Sequence, residues 1–132
     1  FSGAKRPLLM VRDGELIEIK GSKFSIGSCN NLLECYEQAE ITLQQADQIY
    51  LFTDGITDQI GTNNGKKFMI KQLRENLVSN SKKPSNYVGE ILENNLTQWQ
   101  GNTPQTDDMM MVGFEIGDCM KVTLNNTVEK VA

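Results

Sequence analysis

An α+β layered domain is the fold class this sequence predicts, and three observations carry the prediction. Two short apolar runs flank Asp13-Gly14 near the start. Two segments of helical period follow one another with no strand between them, and two nearly continuous apolar runs, at 49–52 and 109–116, stand on either side of that helical pair. Adjoining helices argue against a doubly wound βαβ sheet; a mostly antiparallel sheet with paired helices on one face fits instead.

Residues 7–20 read as a β-hairpin, because Asp13-Gly14 supplies the positive φ values of a two-residue type I′ turn. In its second arm Ile17 and Ile19 alternate with Glu18 and Lys20, the period of a strand with one wet face. The Asn- and Ser-rich stretch 27–34 is a loop. Ala39, Ile41 and Leu43 alternate with Glu40, Thr42 and Gln44, which predicts a third, half-buried strand, and Gln45-Ala46-Asp47 turns the chain into the run 49–52, a strand expected to be buried on both faces. After the Gly-Asn loop 61–65 the period becomes helical: Phe68 or Met69, then Leu73 and Leu77. A second helix has Ser85 after Pro84 as its N-cap, a stripe of Val88, Ile91, Leu92, Leu96 and Trp99, and a stop at Gly101 and Pro104. The run 109–116 is expected to be a central strand. Residues 1–116 form the domain, and 117–132 a tail with a short strand around Val122 and Leu124.

The 132 residues are 39% hydrophobic, enough for a packed core, and carry a net charge of −4. That balance, with lysines paired only at Lys66-Lys67 and Lys82-Lys83, excludes a nucleic-acid footprint. Three cysteines, Cys29, Cys35 and Cys119, make an odd count without metal-ligand spacing, so a reducing, cytoplasmic setting is expected and the thiols read as unremarkable. No apolar run is long enough to cross a bilayer. The absence of histidine removes imidazole general bases and zinc sites, leaving carboxylates, a thiol or a metal to do chemistry. The chain opens on Phe1-Ser2-Gly3, close to a strand, and is expected to be part of something longer.

Two acidic clusters stand at the mouths of the two apolar runs: Thr53-Asp54-Gly55-Ile56-Thr57-Asp58 after the first and Thr106-Asp107-Asp108 before the second. Carboxylates from distant parts of a chain that converge at strand ends suit a hard cation such as Mg²⁺ or Mn²⁺, which prefers oxygen ligands. Gly55 lets the backbone turn so that Asp54 can face the mouth. The bland reading, Asp54-Gly55 as a turn and Asp107-Asp108 as a strand cap, is equally open for either cluster alone.

The order of an apolar run, Thr-Asp-Gly-x-x-Asp, a Gly-rich loop, two helices, a Trp near the end of the second, then Asp-Asp and an apolar strand resembles the second half of the metal-dependent, phosphatase 2C-like protein phosphatases. The opening Ser2-Gly3-Ala4-Lys5-Arg6-Pro7-Leu8 is similar to the start of the hairpin in the SpoIIE/RsbU subgroup. The resemblance covers residues 1–116 and implies a sandwich of antiparallel sheets flanked by paired helices, of which this chain carries the C-terminal portion. It implies a two-metal site, Mn²⁺ or Mg²⁺, whose bound hydroxide attacks a phosphoserine or phosphothreonine of a protein partner. Asp54, with Gly55 beside it, matches the family's Asp-Gly ligand and Asp107 the first residue of its Asp-Asn or Asp-Asp pair. Asp58 matches an accessory acidic position, and Asp108 stands behind the ligands. The resemblance further implies an anti-sigma-antagonist-like substrate and a preceding sensor module.

The family's bridging aspartate belongs to a D-x-x-G-H-G motif, which a chain without histidine does not contain, and Ala4-Lys5 stands where the subgroup often has Gly-His. The chain alone is therefore expected to be inactive, and its uncovered apolar faces are expected to drive homodimerisation. The rival expectation is a degenerate, non-catalytic interaction module. Other signals are weaker. A haloacid-dehalogenase reading fails because Phe52 stands where the nucleophile would be; Met109-Met110-Met111 reads as core filler; the 61–67 loop lacks P-loop spacing, and Lys66 and Lys67 read as a solvated helix start.

Overall fold

Asp13 and Gly14 adopt φ values of 52° and 81° and close a two-residue turn between β1 (Leu8–Arg12) and β2 (Glu15–Ile19), with Arg12 opposite Glu15. The hairpin is the one the Asp-Gly pair dictates. In this computed structural model residues 1–27, 36–63 and 65–117 are described, so the expected strand around Val122 and Leu124 and all three cysteines lie outside the described residues. The remaining elements are β3 (Gln48–Phe52), α1 (Asp54–Asp58), α2 (Met69–Ser79), α3 (Ser85–Gln100) and β4 (Met111–Glu115).

The four strands form one antiparallel sheet in the order β2-β1-β3-β4. Its period-2 alternation sorts side chains onto two faces. Leu9, Val11, Tyr50 and Phe52 point toward the helices and pack with Ile56, Phe68, Leu73, Leu77, Val88, Leu92 and Leu96. Leu8, Met10 and Ile49 point the other way and are covered by Phe1, Ile19, Ile41 and Ile116. The α+β class predicted from the sequence is thus the one observed, with the helix pair on one face. Leu73 and Leu77 of α2 and Val88, Leu92 and Leu96 of α3 are the buried stripes that the helical period marked. Phe68 meets Trp99 edge to face, ring centroids 5.8 Å apart, which ties the start of α2 to the end of α3.

Five local expectations are corrected. Residues 39–43 form no strand: their backbone is spent elsewhere, Ala39 exchanging hydrogen bonds with Phe1 and the Thr42 carbonyl accepting from Arg12. The run 109–116 is an edge strand, because no strand lies beyond β4 among the described residues, and Val112 and Phe114 are exposed. In β3, Leu51 is exposed on the face away from the helices, so that strand is not buried on both sides throughout. Ser85 is the first residue of α3 and makes no side-chain cap; Pro84 precedes the helix and sets its entry. In β2, Glu18 lies on the helix side and is ion-paired with Arg74 of α2, while Ile17 faces away and is exposed. An apolar–polar alternation reports which residues share a face, but not which face is covered.

Candidate functional site

The two acidic clusters meet at one end of the sheet, and Thr53 joins them. Thr53 leaves β3 in an extended conformation; its N–H donates to the Met110 carbonyl (3.0 Å), its hydroxyl donates to the Asp108 carbonyl (2.7 Å) and accepts from the Met110 N–H (2.9 Å). One residue on, the chain enters α1 at Asp54, and Gly55 lies so close to the other cluster that a Cβ there would stand 2.4 Å from the Asp108 carbonyl oxygen and 3.0 Å from that of Asp107. Only glycine permits this approach. Asp107 turns its Oδ1 back to accept the Asp108 N–H (2.7 Å), and its carbonyl accepts from Gln105 Nε2 (2.7 Å).

A residue that the sequence did not single out organises this end of the molecule. Gln59, fully buried at the end of α1, donates from Nε2 to the carbonyls of Ile60 and Pro104 and accepts at Oε1 from the N–H and hydroxyl of Thr106. Its own carbonyl accepts from Phe68 N–H and Trp99 Nε1. The segment that carries Asp107 is therefore pinned to α1 by one side-chain amide with all its donors and acceptors in use, an arrangement costly to disturb. A glutamine following an aspartate in a polar loop carries no sequence signal for such a role.

Asp54 projects from the start of α1 and pairs with Arg6, whose Nη2 lies 2.6 Å from Oδ2; both side chains are about half exposed, at 47% and 43%. Asp58 pairs with Lys67 (3.0 Å) across the Gly-Asn loop. Thr57 is buried and donates to the Asp54 carbonyl (3.1 Å). Of the five residues read as metal-binding, Gly55 lies against the Asp107 and Asp108 carbonyls, Asp54 beside it is held by Arg6, and Asp58 is held by Lys67.

Carboxylate oxygens are the right donors for a hard cation. Yet among the described residues no three acidic, histidine or cysteine side chains group so as to hold a metal ion, and the Asp54 carboxylate is engaged by Arg6. The residues present do not by themselves complete a site for Mn²⁺ or Mg²⁺.

The profile of the family described as Stage II sporulation protein E (SpoIIE) matches residues 1–117, nearly the whole of the chain. The chain belongs to the SpoIIE family. Among solved structures it is similar to the SiaA-PP2C domain of Pseudomonas aeruginosa, with 31% identity and a TM-score of 0.78 over 87% of this chain and 45% of that one. It is similar in fold to the SpoIIE phosphatase domain of Bacillus subtilis, presoaked with Mn (13% identity, TM-score 0.61, 85% of this chain and 47% of that one). A further Bacillus subtilis SpoIIE structure, the PP2C phosphatase domain with a fragment of the regulatory domain, matches with 17% identity and a TM-score of 0.66 over 86% of this chain and 32% of that one. The chain spans less than half the length of each of these solved chains. No curated protein sequence matches it. The sheet and the helix pair are accordingly those of a SpoIIE-type, PP2C-like phosphatase fold. Among the described residues no helix is long and apolar enough to cross a membrane.

Proposed function

We propose that the protein carrying this chain is a divalent-cation-dependent phosphoprotein phosphatase that hydrolyses phosphoserine or phosphothreonine on a protein partner. The observation that carries the reading is the contact of Gly55 with the Asp107–Asp108 backbone, which sets two acidic clusters, far apart in sequence, at one mouth of a SpoIIE-family sheet. A bound Mn²⁺ or Mg²⁺ would supply an acidified water and neutralise charge on the phosphoryl oxygens. Asp54, Asp107 and Asp108 are the oxygen donors this chain would bring, and further ligands would come from outside its described residues. An anti-sigma-antagonist-like substrate, a preceding sensor module and a cytoplasmic setting belong to the same proposal, as does pairing of two copies.

A second reading, a non-catalytic interaction module, is favoured by one specific observation: Arg6 already neutralises Asp54, and no three-ligand group is present among the described residues. Hydrolysis of p-nitrophenyl phosphate by the full-length protein separates the two. The phosphatase reading expects turnover with Mn²⁺ or Mg²⁺, none with EDTA, and loss of activity in Asp54→Asn. Undiminished activity in EDTA or in that variant overturns it, and absence of both turnover and calorimetric Mn²⁺ binding selects the module.

A further inference from the structure

The segment that delivers Arg6 is built at a conformational cost which the Arg6–Asp54 ion pair does not explain. Lys5 has a φ of 63°, in a region that residues with a side chain seldom occupy, and the Arg6 N–H returns to the Ala4 carbonyl (2.7 Å), closing a strained three-residue γ-turn. The Lys5 N–H donates to the Ser22 carbonyl (2.6 Å), and the Ser22 N–H donates to the Gly3 carbonyl (2.7 Å), so the turn is tied to a second segment. The Arg6 carbonyl is wedged between two glycines: a Cβ on Gly21 would stand 2.6 Å from it, and one on Gly3 2.8 Å. Pro7 follows and fixes the next φ. The Lys5 and Arg6 N–H groups are thus both bonded and the Arg6 carbonyl is closely packed, and the result is one guanidinium placed over Asp54.

Stability is a poor reason for this construction. A half-exposed ion pair contributes little, less than a strained backbone consumes. Strain held in place by surrounding structure is typical of residues that touch a ligand. Arg6 donates from Nη2 to Asp54 and also lines a depression of about 310 Å³, which has Ile26 and Phe52 as its apolar wall and Lys5, Arg6, Ser25, Thr53 and Asp54 as its polar residues. The depression opens beside the mouth where the acidic clusters meet, and it carries two adjacent cations, Lys5 and Arg6. A planar fork of N–H donors matches the oxygens of a phosphate, and beside a carboxylate-rich mouth it offsets the repulsion that an incoming dianion would meet.

We propose that Arg6 is the phosphoryl-binding residue of this site, held over Asp54 to receive the oxygens of a phosphate monoester, with Lys5 adding charge at the rim. The proposal rests on the phosphatase reading for its substrate, but its ligand chemistry, a phosphate dianion, can be measured without turnover. The first arm is calorimetric titration of the full-length protein with inorganic phosphate, comparing wild type with Arg6→Ala and Arg6→Lys. Arg6→Ala is expected to weaken phosphate binding roughly tenfold or more, as befits loss of a charge-assisted contact, and Arg6→Lys, which keeps the charge but not the fork, to recover only part of it. Thermal melts control for folding; should Arg6→Ala fail to fold, Arg6→Lys carries the test, since it retains a cation beside Asp54. In the second arm, a phosphoserine peptide substrate should show the same loss in KM with kcat changed less. Phosphate affinity and KM within twofold of wild type in the folded variants overturn the role of Arg6 while leaving the phosphatase reading intact; conversely, a wild type without turnover whose phosphate binding still depends on Arg6 overturns only the phosphatase reading.

Discussion

Gly55 and Asp108 touch through their backbones: the position a Gly55 side chain would fill is 2.4 Å from the Asp108 carbonyl oxygen. That oxygen is also the acceptor of the Thr53 hydroxyl, so it cannot withdraw without breaking the Thr53 link as well. Gly55→Ala is therefore expected to force the two acidic clusters apart. Overpacking of this kind costs roughly 1–3 kcal/mol. Urea unfolding should show that loss, and p-nitrophenyl phosphate hydrolysis by the full-length protein should fall further than the loss of folded protein accounts for. Equal stability and activity in the variant would mean that the Asp107–Asp108 segment is free to yield.

Gln59 makes a sharper demand. Its amide meets Ile60, Pro104 and Thr106 at once from a fully buried position. Gln59→Leu fills the space but removes the partner that ties the Pro104 carbonyl and the Thr106 N–H, both on an exposed segment, to α1. Hydrogen exchange of the 105–108 amides is expected to quicken more than that of β1, because the segment loses its anchor while the sheet keeps its own ladder. Uniform quickening across the sheet would show that Gln59 supports the whole fold rather than the loop.

Stability should fall at both ends of the pH scale, for opposite reasons. Asp47, almost wholly buried, accepts two hydrogen bonds from Arg12 and one from the Gln44 N–H; the Arg12 hydrogen bonds, above all, hold its carboxyl below the ordinary value of 3.8. A depressed carboxylate contributes stability that is complete above its unfolded value and lost as pH falls through the folded one. Tyr50, buried against Gly113, has its phenol pushed up to about 12, first by burial and then by the charge of Glu115. A raised phenol contributes stability that is complete below pH about 10 and lost toward 12. Urea unfolding across pH should show both limbs, with Tyr50→Phe flattening the alkaline one and Asp47→Asn the acid one. Limbs unchanged in these variants would assign them to other groups.

What was legible in the sequence was what local patterns encode. Asp13-Gly14 names its own turn, and Leu73, Leu77, Val88, Leu92 and Leu96 mark two helix faces by period alone. The acidic clusters were legible as clusters because each abuts an apolar run. Neighbour relations were not. Residues 109–116 are apolar enough for a central strand, yet β4 lies at the sheet edge, and the alternation at 39–43 has no ladder to join. Short α1 escaped notice because five residues are too few to show a period. Arg6 and Gln59 escaped because their importance comes from partners 48 and 45–47 residues away, which no local pattern records.

The face of the sheet turned away from the helices is apolar and partly uncovered. Register places Ile17 beside Met10, Met10 beside Ile49 and Ile49 beside Phe114, and in the next row Leu51 beside Val112. Met10 and Ile49 are buried, but Ile17, Leu51, Phe114 and Val112 are 37%, 39%, 43% and 48% exposed. Along the outer side of β4 the backbone has no strand partner among the described residues. An apolar face continuous with an open strand edge is a template for pairing, and a second copy meeting it about a two-fold axis satisfies both at once. The chain in isolation is therefore expected to associate with itself and to show no phosphatase activity. Sedimentation at several concentrations should show the average mass rising with concentration. Joint Val112→Lys and Phe114→Lys substitutions should suppress that rise without lowering stability, since both side chains lie outside the core and added charge on an edge strand blocks pairing. A wild-type chain that stays monomeric at every concentration would mean that this face is closed by the chain's own residues.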